Sequence, residues 1–179
     1  MVHHLLKQLH LIRHAKSSWE QPQLSDHERP LSDRGRHAAP LIGQAMCAEI
    51  DASGSELPLF FVSTARRARE TFDGLNVGSA SLSQQAPTYD GALYTFDEAD
   101  LIDWIAAADD DLDSIAIIGH NPAMTDLANF LCPPLMLSNL PTAGWLWLHF
   151  DDHAWEASMR SPRGGICRAF YTPKSGKLL

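Results

Sequence analysis

The sequence predicts an α/β domain with a mostly parallel sheet, and three observations carry that prediction. Short apolar segments of strand length alternate with amphipathic segments of helical period, the order from which parallel sheets are built. Two of those segments, Leu59 to Val62 and Ser114 to Ile118, are apolar almost throughout, as strands covered on both faces are. The chain of 179 residues is the right size for one domain with one sizeable core, so residues 1–179 are read as a single unit.

Each element has a local reason. Gln8 to Arg13 alternates apolar and polar residues and ends in a polar cluster, which predicts a first strand. Ser32 is placed to cap a helix running through Arg36 and the apolar positions Ala38, Leu41, Ile42, Ala45 and Met46. Leu59 to Val62 follows as a strand, and Ser63 and Thr64 offer capping hydroxyls to a helix from Ala65 to Phe72. The Ser-, Gly- and Gln-rich stretch from Asn76 to Pro87 predicts a surface connection. Asp97 to Ala108 is expected to be helical, with Leu101, Ile102 and Ile105 on one side. Ser114 to Ile118 is the next buried strand, and Gly119-His120-Asn121-Pro122 ends it sharply. Asn121 as N-cap with Pro122 at the first helical position predicts a helix to Leu131, stopped by Pro133-Pro134. The alternating runs Trp145 to Phe150, Ala154 to Met159 and Ile166 to Tyr171 are expected as late strands or a meander.

Composition narrows the function. Apolar residues make up 45% and charged residues 20%, ordinary for a globular chain, and the longest apolar runs are too short for a membrane span. Met1 to Lys7 lacks the pattern of a signal peptide, and Cys47, Cys132 and Cys167 lack CxxC spacing. A cytoplasmic location without a disulfide framework is therefore expected. The net charge of −8 lies wholly in residues 81–179, and seven of the ten arginines lie in residues 1–80. An acidic chain repels nucleic-acid phosphates, so neither nucleic acid nor membrane is an expected partner. A compact cationic pocket for a small anion remains compatible with that distribution.

The three buried strands point to such a pocket. They end in Arg13-His14, in Ser63-Thr64-Ala65-Arg66-Arg67 and in Gly119-His120-Asn121. Ligands in open α/β sheets gather beyond the carboxyl ends of the strands, so neighbouring strands would bring these groups together. Two histidines with two or three arginines suit phosphate. Guanidinium forks match phosphate oxygens bidentately, and a neutral imidazole can attack phosphorus. Arg66, Arg67 and Arg69 also stand near a predicted helix N-terminus, where the macrodipole disfavours cations unless an anion binds.

Taken in order, these segments resemble the histidine phosphatase superfamily, in the branch of the phosphoglycerate mutases and the SixA-type phosphohistidine phosphatases. Leu11-Ile12-Arg13-His14-Ala15 matches its Arg-His motif, and Lys16-Ser17-Ser18-Trp19 is similar to the small SixA-like subgroup. Asp26 to Gly35 matches that subgroup's Asp…Arg-Pro-Leu-Ser/Thr…Gly segment. Ser63 to Thr71 matches the Ser-x-Ala-x-Arg-Ala-x-Gln-Thr helix, and Ile117 to Pro122 the Val-Gly-His-Asn-Pro segment. Leu140-Pro141-Thr142-Ala143 and Trp155 follow the subgroup's tail.

The resemblance implies a three-layer α/β/α sandwich of the phosphoglycerate mutase kind. It implies His14 as nucleophile, with Arg13, Arg67 and His120 completing the phosphate pocket and Ser17 as a further phosphate contact. No cofactor and no metal are implied. Ala15 stands where the wider superfamily has glycine, Thr64 where proline is frequent and Glu70 where glutamine is frequent. The candidate general acid in register is Asp90, which a turn would also explain. An alkoxide leaving group needs a positioned acid, whereas phosphohistidine carries a better leaving group. The expected activity is a metal-independent phosphatase acting on phosphohistidine of a protein. The alternatives are a phosphomonoesterase on small phosphorylated metabolites and a non-catalytic phosphate-binding module.

Other conspicuous groups have simpler readings. Asp109-Asp110-Asp111-Leu112-Asp113 lacks the glycine and the final glutamate of a calcium loop and is read as a solvated connection. His149 to His153 is read as a hairpin turn, His3-His4 as a frayed end, and Trp145, Trp147 and Trp155 as packing.

Overall fold

The computed structural model describes residues 7–174, so His3-His4 lies outside the described residues. In chain order the elements are β1 (Lys7–Arg13), α1 (Asp33–Ser53), β2 (Leu59–Ser63), α2 (Arg66–Gly78), β3 (Thr88–Asp90), α3 (Glu98–Ala106), β4 (Ser114–Gly119), α4 (Ala123–Leu131), β5 (Trp145–Phe150), α5 (Trp155–Arg160) and β6 (Ile166–Tyr171). The strands form one sheet of order β3-β2-β4-β1-β5-β6. β3, β2, β4 and β1 run parallel, and β5 and β6 add antiparallel neighbours on the β1 side. The predicted α/β class with a mostly parallel sheet is the observed one.

Period-2 alternation along the central strands sends side chains to two cores. Ile12, Val62, Ala116, Ile118 and Trp145 pack with Ile42, Met46, Phe72 and Leu75 of α1 and α2. Leu9, Leu11, Ile115, Ile117 and Leu146 pack with Ile105, Leu127 and Trp155 of α3, α4 and α5. The sheet is therefore the middle of three layers. Two helices lie on one face and three on the other.

Ser32 caps α1 as expected, accepting from the Gly35 N–H at 3.2 Å. Its buried stripe is Gly35, Ala39, Ile42, Gly43, Met46, Cys47 and Ile50, while Leu41 faces outward. Other expectations need correction. Ala154 to Met159 is not a strand: Trp155, Ser158 and Met159 share one buried face at spacings of three and four, the helical period of α5. The Asn76–Pro87 connection begins later, because α2 continues to Gly78, and it leads into the short edge strand β3. Leu59 starts its strand exposed rather than buried. His149 belongs to β5, and the chain after it enters a helix instead of closing a hairpin.

The N-caps of α2 and α4 also differ. Ala65 and Pro122 hold those positions without side-chain caps. Ser63, Thr64 and Asn121 use their side chains in the site described below. The acidic connection between α3 and β4 is bound to the protein at both ends of its run. Buried Lys7 donates to the Asp110 and Leu112 carbonyls and pairs with Asp113 at 3.2 Å, while Asp110 Oδ1 accepts from the Trp155 N–H. Among the described residues no helix is long and apolar enough to cross a membrane.

Candidate active site

The strand order places β4 between β2 and β1, so the polar groups ending these three parallel strands converge at the carboxyl end of the sheet. Arg13 stands opposite Gly119, and the His14 N–H donates to the Gly119 carbonyl at 3.1 Å. His14 and His120 thereby bring their rings to a centroid separation of 5.0 Å.

His14 is held in one tautomer. Its Nδ1 lies 2.7 Å from the Ala15 carbonyl, which can only accept, so Nδ1 carries the hydrogen and Nε2 keeps its lone pair. Arg67 Nε donates to that lone pair at 3.2 Å. Burial pushes His14 down to about 4 from an ordinary 6.5, and Arg67 and Arg13 push the same way against the Ala15 hydrogen bond and Asp26. The imidazole is neutral near pH 7, which is the nucleophilic form.

His120 takes the opposite tautomer. Arg67 Nη2 donates to its Nδ1 at 3.2 Å, leaving Nε2–H to donate to Ser63 Oγ at 2.7 Å. Burial and the neighbouring His14 and Arg67 lower it to about 2. A phosphate dianion at the same place would act in the other direction and favour the imidazolium.

Arg67 is the hub of the cluster. It is the second residue of α2, and its guanidinium reaches both histidines. It also donates to the Asp26 backbone carbonyl through Nη1 and to Asp26 Oδ2 at 2.8 Å through Nη2. Arg13 donates through Nη1 to Asn139 Oδ1 and the Leu140 carbonyl, and its buried Nε has no partner among the described residues. Asn121 Nδ2 donates to the same two oxygens, so the segment before β5 is fastened to two of the three strand ends. A buried guanidinium N–H without a partner is a donor that an anion could satisfy.

The remaining expected residues divide. Ser17 forms an isolated antiparallel bridge with Leu31 in the loop after His14, and its hydroxyl bonds to no described residue. Asp90 ends β3 at the edge of the sheet. Its Oδ1 accepts from the Ala92 N–H at 2.8 Å and its Oδ2 from Trp104 Nε1 at 2.9 Å, so both carboxylate oxygens are engaged away from Arg13, His14, Arg67 and His120.

Several further residues join the site: Thr64 and Glu70 were read from sequence as a helix cap and a motif departure, while Asp26, Thr71, Tyr94 and Phe96 were not singled out. Asp26 bonds Arg67, and the Tyr94 hydroxyl donates to its Oδ2 at 2.7 Å. Burial pushes the Asp26 carboxyl up, but hydrogen bonds from Tyr94 and Arg67 and the charges of Arg67 and Arg29 hold it below its ordinary range. Tyr94 and Phe96 pack on the His120 ring at 5.3 and 5.6 Å. Thr71 accepts from the Ala15 N–H at 3.0 Å, and Glu70 accepts from the Leu31 N–H at 2.7 Å while pairing with Arg66. Thr64 bonds His27 at 3.0 Å. Asp26 and Thr71 both lie inside matched motifs, which was the available signal; Tyr94 and Phe96 carried none.

Comparison with known proteins bears on the family and the fold. Residues 9–85 match the model of the histidine phosphatase superfamily, branch 1. An uncharacterized protein of Mycobacterium tuberculosis is 33% identical over 118 residues, 65% of this chain and 67% of the relative. Among solved structures, a candidate phosphohistidine phosphatase SixA from Nakamurella multipartitia superposes with a TM-score of 0.75 at 20% identity, covering 94% of this chain and 96% of that one. The protein histidine phosphatase SixA complexed with tungstate gives a TM-score of 0.73 at 19% identity, with 95% and 99% coverage.

Proposed function

The chain belongs to the histidine phosphatase superfamily, and on that premise we propose that it is a metal-independent phosphatase whose preferred donor is phosphohistidine on a protein. The observation that carries the proposal is the His14 ring, neutral, buried and locked with Nε2 unprotonated beside a guanidinium. In this reading the Nε2 lone pair forms a bond to phosphorus while the bond to the leaving group breaks, taking its electron pair with it. Water then attacks the phosphorus. The P–Nε2 bond returns its pair to His14, and inorganic phosphate leaves with the water's oxygen and protons.

The other residues follow from charge. Arg67 and Arg13 release donors to the equatorial oxygens, where negative charge gathers during transfer. His120 becomes the cation that a bound dianion favours, and the Ser17 hydroxyl is a further phosphate contact. Phosphohistidine is preferred over alkyl esters because no carboxylate at this pocket is poised to donate a proton. Asp26 is held ionised, and Asp90 is committed to Ala92 and Trp104.

The test is phosphate release, with chelator present, from a phosphohistidine-bearing protein and from the alkyl ester glycerol 3-phosphate. The expected outcome is faster release from phosphohistidine, unchanged by chelator, with His14→Ala reducing turnover by about a thousandfold or more. Preference for the ester would transfer the assignment to a small-molecule phosphomonoesterase. Unchanged turnover in His14→Ala would remove His14 as nucleophile.

A further inference from the structure

Resting on the phosphohistidine reading, we propose that Asp26 is the residue that receives the leaving group. Its carboxylate accepts the N–H of the ring nitrogen remote from phosphorus, and Tyr94 and Phe96 flank that ring.

Placement is the first support. A single guanidinium connects the nucleophile to the carboxylate: Arg67 Nε donates to His14 Nε2 at 3.2 Å and its Nη2 to Asp26 Oδ2 at 2.8 Å. Oδ2 is also occupied by the Tyr94 hydroxyl. Among the described residues Oδ1 has Arg29 Nη1 alone, at 3.5 Å, and the side chain is 48% exposed. Oδ1 therefore keeps spare acceptor capacity on a half-exposed carboxylate that one guanidinium joins to His14.

The second support is aromatic. Tyr94 packs at 5.5 Å from Phe96, and both lie against His120. Phe96 remains 47% exposed, so an apolar edge borders the pocket. A flat ring stacks or packs edge-on against such a surface, whereas an aliphatic alcohol gains less from it.

The chemistry explains the value of the pairing. When the ring of phosphohistidine is protonated at its remote nitrogen, breaking the P–N bond returns the electron pair to a nitrogen that leaves as part of neutral imidazole. His14 Nε2 forms the new P–N bond, the remote nitrogen keeps its hydrogen, and no external acid enters the step. A carboxylate opposite that N–H favours the protonated ring. The cations Arg67 and Arg29 oppose it, while the phosphoryl oxygens assist. Arg13 and the His120 imidazolium that the phosphoryl group favours also oppose it, neutral His14 adds no charge, and Tyr94 and His27 complete the group of titratable side chains around the site.

Asp26→Asn tests the assignment, because the amide oxygen still accepts from Tyr94 and the backbone carbonyl still holds Arg67. The expected result is a kcat/KM loss about tenfold or more greater on phosphohistidine than on 4-nitrophenyl phosphate, which has no remote N–H. The alkaline limb of the phosphohistidine profile should also move down by about 1 pH unit. Equal losses on both substrates, or no loss on phosphohistidine, would reduce Asp26 to a support for Arg67 and overturn the inference alone. Ester preference in the unsubstituted protein would instead overturn the parent reading and this assignment with it.

Discussion

At the scale of single residues, Arg67 is the side chain with most at stake. It enters the core of the site from the first turn of α2 with 4% of its surface exposed, against the dipole preference of a helix start. One planar fork meets His14, His120 and both the carbonyl and carboxylate of Asp26. An ammonium at the end of a flexible stem cannot match that geometry. Arg67→Lys is expected to lower kcat/KM by about a hundredfold while the circular dichroism spectrum stays unchanged. A loss below about threefold would show that charge alone suffices at this position.

At the scale of elements, two close backbone approaches position the site. A Cβ on Gly35 of α1 would lie 2.3 Å from the Lys16 carbonyl oxygen, the same oxygen that accepts from the Ser32 N–H and hydroxyl. The helix start is thus pressed directly onto the loop that follows His14. A Cβ on Gly43 would lie 2.3 Å from the Leu75 carbonyl oxygen, where α1 and α2 meet. Both obstacles are backbone, so neither can swing aside. Gly43→Ala is expected to destabilise by about 2 kcal/mol in chemical denaturation with kcat little altered. Gly35→Ala should lower kcat as well, because it displaces the loop that begins at Ala15. Equal kinetic effects from the two substitutions would remove that distinction.

At the scale of the whole molecule, burial of histidines couples folding to pH. Burial pushes His10 to about 3, helped by His149, while His14 and His149 fall to about 4 and His120 to about 2. All four lie below the ordinary 6.5 of the unfolded chain, so the unfolded state binds more protons from about pH 6.5 down to about pH 4 for His14 and His149 and to about pH 2–3 for His10 and His120. Their contribution is complete above pH 6.5 and is lost as pH falls through that window. The melting temperature at pH 5 is expected to lie roughly 5 °C or more below that at pH 7. Equal melting temperatures would mean that these rings take up protons without leaving their places. His10 explains part of the sensitivity: it is buried against Trp145 and Trp147, at 5.9 and 5.0 Å, and accepts from Trp145 Nε1.

The sequence by itself determined the fold class and the order of most elements, and it pointed to Arg13, His14, Arg67 and His120, of which the fold joins His14, Arg67 and His120 by hydrogen bonds. Apolar strand segments alternating with helical periods leave few arrangements that bury both faces of a sheet. Arg13, His14, Arg67 and His120 were legible because each directly follows a buried strand or opens the helix after one. Local pattern was less decisive where two periods compete over few residues, so the helix Trp155–Arg160 was expected as a strand. Tertiary structure alone decided which hydroxyls cap helices and which serve the site. Ser63 bonds His120 because β2 and β4 are neighbours, a pairing between residues 57 apart that no local preference encodes. It also brought Asp26 to a guanidinium 41 residues away and drew Asp90 to Trp104. Helix and strand signals are short-range, whereas a pocket is assembled from strand ends whose order in the sheet depends on how the whole chain packs.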